Sequence, residues 1–149
     1  LIVSGFDTHT NHDELHEPLL AHVNESIDMI WTEAEARGFS DRLTLVVASD
    51  FGRTPHYNPD NGKDHWPIGS AMVMQERPQW GNRVIGSTDE GHNAHNISPT
   101  SLARDDANGS IIYPRHVHQA IRNLLDIDTV ARDNGFGFTN NEDFDFFHG

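Results

Sequence analysis

Two apolar runs bracket an amphipathic helical stripe at the start of the chain, and this pattern constrains the fold more than anything else in the sequence. Leu1-Ile2-Val3-Ser4-Gly5-Phe6 is a short run that stops at Asp7 and reads as a buried strand. Residues 7–17 are polar and loop-like, with room for a turn of helix at their end. Pro18 suits a first helical turn. Leu19, Val23, Ile27, Ile30 and Ala34 then recur at spacings of three and four, and Gly38 is a natural stop. Residues 43–48, LTLVVA, are continuously apolar but for one Thr. A strand without alternation is buried on both faces, as in a parallel sheet. Together these elements read as one strand–helix–strand unit, whose crossover is right-handed and whose strands are parallel. Both strands then end on one sheet edge, with Asp7 after the first and Asp50 after the second. Open α/β sheets take their ligands at that edge. The expected fold is α/β, a mixed, largely parallel sheet flanked by helices.

Residues 51–69 form a long loop rich in Gly, Pro, Asn and Asp, and a loop of that length in a compact domain is usually functional or disordered. Residues 71–74 and 83–86 read as short strands, and residues 87–110 as loop. Pro114 opens a second helix with Val117, Ile121, Leu124 and Leu125 on one face. The tail, residues 129–149, interleaves acids with Phe144, Phe146 and Phe147, as a docked extension or a partner-binding segment.

Composition narrows the chemistry. The chain has 149 residues, enough for one domain or a piece of a larger one. It opens without a Met inside a predicted strand, which points to a processed or truncated chain. The net charge is −13, from 23 acids against 10 bases. That disfavours binding to nucleic-acid phosphates and to anionic membrane surfaces. No apolar stretch is long enough to insert in a membrane. Without Cys, disulfides, thiol nucleophiles and thiolate metal sites are excluded. Any metal must be held by His, carboxylates, amides or water.

Three segments can carry such chemistry. Asp7-Thr8-His9 places a carboxylate and an imidazole two apart just past a strand end, and His12 and His16 extend the group. In Ser49-Asp50-Phe51-Gly52-Arg53-Thr54-Pro55, Asp50 follows a buried strand, where a carboxylate must be paired or coordinate something. Arg53 offers a planar fork for a tetrahedral oxyanion. Gly62-Lys63-Asp64-His65-Trp66-Pro67 sets an imidazole among turn residues. Each segment alone reads equally as a polar loop, an Asp–Arg brace or a structural His. The shared sheet edge is what joins them. Two carboxylates and two imidazoles suit Zn²⁺, Mn²⁺ or Fe²⁺, whereas Mg²⁺ and Ca²⁺, the alternatives, favour oxygen ligands. His92 and His95 are weaker loop candidates. His22, His116 and His118 read as exposed or partly packed, and His148 as a chain-end residue without a role.

The order GFDTHTN, amphipathic helix, DRLTLVVASDFGRTP and GKDHWP resembles the DUF1501 family. Its members typically show a GWDTH-type segment, an EFGRTP or DFGRTP segment and a GxDHW segment in this order. YPRHVHQAIRNLLDID is similar to the family's closing helix, so the resemblance covers residues 1–128 and leaves the tail 129–149 unmatched. The family is in turn similar to the alkaline phosphatase and sulfatase superfamily. The resemblance implies that superfamily's α/β fold, here as an incomplete domain. It implies metal ligation by Asp7, His9, Asp50 and His65, with His12 as the alternative to His9. Arg53 would meet an oxyanion or brace a ligand. The implied activity is metal-dependent hydrolysis of phosphate or sulfate esters, with this chain supplying part of the metal site. The alternatives are a non-catalytic metal-binding protein of the same fold, or an interaction module completed by another chain. The superfamily's usual imidazole after the second Asp is replaced by Phe51. The nucleophile is expected from an N-terminal half, or another chain, outside this sequence. Export signals common in the family suggest a periplasmic or extracellular setting.

Overall fold

The computed structural model of the protein describes residues 1–139 and 142–147. The expected His148 lies outside the described residues. The chain divides into two compact units, Leu1–Pro78 and Gln79–Gly149.

In the first unit, helix α1 spans His12–Ala36. The predicted stripe faces inward: Leu19, Val23, Ile27 and Ile30 are half-buried and Ala34 is fully buried. The helix starts well before Pro18 and carries that proline inside. Tertiary bonds explain the early start. The His12 N–H donates to the Asn61 carbonyl at 2.8 Å and the Asn11 N–H to that of Asp60 at 3.2 Å. They satisfy donors that a helix start otherwise leaves unpaired, and so outweigh the local signal of the proline. At the other end Gly38 takes φ 69°. Its N–H donates to Glu35 and that of Phe39 to Ala34, both at 3.0 Å, which is the paired ending a left-handed glycine permits.

The parallel sheet expected from the sequence is not formed. Strand β1, Leu45–Ala48, pairs antiparallel with β4, Ala71–Met74, in the register Leu45 to Met74 and Ala48 to Ala71. Strands β2, Gly52–Arg53, and β3, His65–Trp66, form a second antiparallel pair inside the connection between them. Among the described residues the sheets are these two pairs, beside three α-helices. Leu1 and Ile2 are almost wholly exposed, and residues 1–6 pair with no strand. Without that first strand there is no crossover and no parallel pairing. The α/β reading, alkaline phosphatase-like and with a largely parallel sheet, is therefore corrected to helices with small antiparallel hairpin-like sheets. The apolar run at 43–48 misled because β1 alternates between half-buried and exposed residues, with Val46 and Ala48 facing outward.

In the second unit the helices are α2, Pro114–Leu124, and α3, Asp128–Asp133. Pro114 opens α2 as expected, and the Tyr113 N–H donates to His116 Nδ1 at 3.1 Å. His116 is thus a buried helix cap, 1% exposed, and not the partly packed residue its spacing suggested. Burial pulls its pKa below the ordinary value. The core joins Ile97 and Ala120 to Phe144 and Phe146 from the tail. The phenylalanines of the tail are therefore docked on their own unit. Residues 83–86 are not a strand, and Val84 is 95% exposed. Among the described residues no helix is long and apolar enough to cross a membrane.

Candidate metal centre

Three segments of the first unit are knit together by hydrogen bonds that each engage the main chain. The Lys63 N–H donates to the Thr8 carbonyl at 3.1 Å, and Asn58 Nδ2 donates to the His9 carbonyl at 2.9 Å. Gly62 is buried against this contact, and a Cβ there would collide with the His9 carbonyl. Only glycine lets the two loops close so tightly. On the other side the Thr54 N–H donates to the Asp64 carbonyl at 3.0 Å, while the Asp64 N–H donates to Thr54 Oγ1 at 3.1 Å. The segment before α1, strand β2 and strand β3 thus share one frame.

That frame gathers Asp7, His9 and His65 into a potential metal-binding triad. His9 Nε2 lies 3.0 Å from Asp7 Oδ1, His65 Nε2 lies 3.1 Å from the same oxygen, and the two Nε2 atoms are 3.1 Å apart. Donors about 2.1 Å from a shared ion stand about 3.0 Å apart at octahedral angles and about 3.4 Å apart at tetrahedral ones. The near-equilateral triangle falls within that range. All three side chains are about half exposed or more, so the triangle opens to solvent.

Electrostatics support ligation. Arg53 Nη2 donates to Asp7 Oδ1 and to the Phe6 carbonyl, both at 2.7 Å, and Nη1 donates to the Lys63 carbonyl at 2.9 Å. The Arg53 bond, followed by the His65 bond, holds the Asp7 pKa down to about 2. Asp7 is therefore a carboxylate at neutral pH. His9 Nδ1 faces Asp64 Oδ1 at 2.9 Å. That bond, then the one from Asn58, lowers the Asp64 pKa. A carboxylate can only accept, so Nδ1 carries a proton toward Asp64, and in the neutral ring the Nε2 lone pair then points into the triangle. A second proton on the ring, or a cation shared with the Asp7 oxygen, satisfies the 3.0 Å contact of Nε2 with Asp7. The Phe51 ring stacks on His65 at 3.9 Å and fixes its plane.

The family model described as a protein of unknown function, DUF1501, matches residues 1–128. The chain belongs to the DUF1501 family. Neither the curated proteins nor the solved structures offer a match to it. In this DUF1501 chain the structure brings together three of the four expected ligands. Asp50 lies outside the triangle, exposed, with Ser49 Oγ 3.5 Å from its carboxylate. Its expected place depended on the parallel sheet. His12, the alternative to His9, is turned inward instead, its Nδ1 2.6 Å from Thr8 Oγ1 and its ring beside His16. Burial pulls the pKa of both His12 and His16 down. Arg53 is directed at Asp7, so it braces a ligand. His22 is exposed, as expected. His95 Nδ1 lies 3.5 Å from Asp106 in the second unit, and neither it nor His92 joins a ligand cluster among the described residues. Sequence reasoning missed Asp64 and Asn58, although Asp64 stands directly before His65 and Asn58 opens the turn that ends in Gly62.

Proposed function

We propose that Asp7, His9 and His65 hold a divalent transition-metal ion, Zn²⁺ or Mn²⁺, and that the protein uses it to hydrolyse phosphate or sulfate esters. In this reading the chain supplies part of the site, and the nucleophile and further ligands come from another segment or chain. The observation that carries the reading is the triangle of one carboxylate oxygen and two imidazole nitrogens, open to solvent. Structural zinc sites are closed by four protein ligands, whereas catalytic ones keep three and an open position. A metal in such a site polarises an ester oxygen and lowers the pKa of bound water. Imidazole donors favour Zn²⁺ over Ca²⁺, and the carboxylate also suits Mn²⁺.

The residues' own tasks follow from their contacts. Arg53 keeps Asp7 ionised and aimed. Phe51 and the β2–β3 pairing hold the His65 ring in place. The two nearest hydroxyls, Thr8 and Thr54, are buried and bonded inward, so neither is presented to a substrate.

The test is hydrolysis of p-nitrophenyl phosphate and p-nitrophenyl sulfate by the intact protein loaded with Zn²⁺ or Mn²⁺. Chelation should abolish turnover, and Asp7→Asn should lower it by more than about 100-fold, since replacing outer partners of metal ligands already costs about 10–100-fold. Undiminished turnover after metal removal would refute the reading. Tight metal binding with no ester turnover would leave the non-catalytic alternative.

A further inference from the structure

We propose that Asp64 is the positioning residue that makes His9 a ligand, by holding its proton on Nδ1 and so freeing Nε2 for the ion. This rests on the metal reading above. The alternative tautomer of His9 would place its proton on Nε2, inside the triangle, and leave no lone pair to donate. The fold gives Asp64 little freedom to do otherwise. Its main chain is bonded on both sides to Thr54, and its Oδ1 accepts from Asn58 Nδ2 at 3.2 Å as well as from His9 Nδ1 at 2.9 Å. Asn58 also holds the His9 carbonyl, so one side chain ties together the backbone of the ligand and the carboxylate that orients its ring. Position 64 therefore serves His9, from a different segment, while position 65 ligates directly. Outer partners of this kind fix ring orientation and raise ligand basicity.

The experiment compares wild type, Asp64→Ala, Asp64→Asn and His65→Ala in the intact protein, all checked for folding by circular dichroism. Two quantities are read: the His9 tautomer of the metal-free protein from ¹⁵N chemical shifts, and Zn²⁺ affinity by competition with a chromophoric chelator. In wild type His9 should carry its proton on Nδ1. Asp64→Ala should move it toward Nε2 and weaken Zn²⁺ binding about 10–100-fold. Asp64→Asn, whose amide oxygen still accepts but without charge, should fall between and keeps the test decisive if the alanine variant unfolds. An unchanged tautomer and affinity in Asp64→Ala, with Zn²⁺ binding lost in His65→Ala, would overturn the role of Asp64 alone. Unchanged binding in His65→Ala would overturn the metal reading beneath it.

Discussion

Replacing His65 with alanine is expected to weaken Zn²⁺ binding by more than 100-fold, roughly beyond the ceiling for an outer partner. His65 contributes one of the three donors gathered among the described residues, and its Nε2 is within 3.1 Å of both other donor atoms. Its loss leaves Asp7 and His9 as the donors this cluster offers. Chelator competition measures the change, with His22→Ala, on the exposed side of α1, as the control that should bind as wild type does. The Phe51 ring that stacks on His65 would lose its partner, but the bonds that close the loops come from Lys63, Asn58 and Thr54 and remain. An affinity within a few-fold of wild type would show that the triangle does not hold the metal.

The largest expected effect on stability comes from Phe144→Ala. Phe144 is 4% exposed, stacks on Phe146 at 5.3 Å and lies 4.9 Å from the His116 ring. Removing such a ring from a packed core costs about 3–5 kcal/mol. Whole domains are stable by only about 5–15 kcal/mol, so a large share of such a margin would go. Urea unfolding followed by fluorescence in a Trp31→Phe, Trp66→Phe background, which leaves Trp80 packed against Phe147 at 4.9 Å, reports on this unit. A loss below about 1 kcal/mol would mean that the tail is not part of the core.

Two of the three α-helices, α1 from Pro18 onward and α2, were legible in the sequence, and α3 was not. The stripe from Leu19 to Ala34 and the stop at Gly38 are local signals, and so is Pro114 at the start of α2. The sheet was not. A continuous apolar run such as residues 43–48 looks the same whether a neighbour covers both faces or one. Which strand pairs with it is a long-range property, here Ala71–Met74. The metal centre was half legible. Asp7, His9 and His65 stood out as residue types in loops, but the expected reason for their meeting, a shared parallel edge, is not the real one. They meet because Gly62 allows one loop to close on another and Thr54 clasps Asp64. Asp50 was expected from the sheet edge, from its place after a strand and from the family resemblance, and it stands outside the triangle. Asp64 escaped notice because a carboxylate beside a histidine suggests a second ligand or a surface charge. Only the geometry shows that it serves a histidine from a different segment. The buried cap at His116 escaped for a related reason, since helical spacing gives a side chain's face but not its hydrogen bond.

The central claim is that one carboxylate and two imidazoles of this chain converge on one ion. X-ray absorption at the zinc edge of the Zn²⁺-loaded protein tests it most directly. The account predicts a first shell of nitrogen and oxygen at about 2.0–2.2 Å, with outer-shell scattering that requires two imidazole rings and is reduced to one ring in His9→Ala. A spectrum of oxygen ligands alone, unchanged by that substitution, would contradict it.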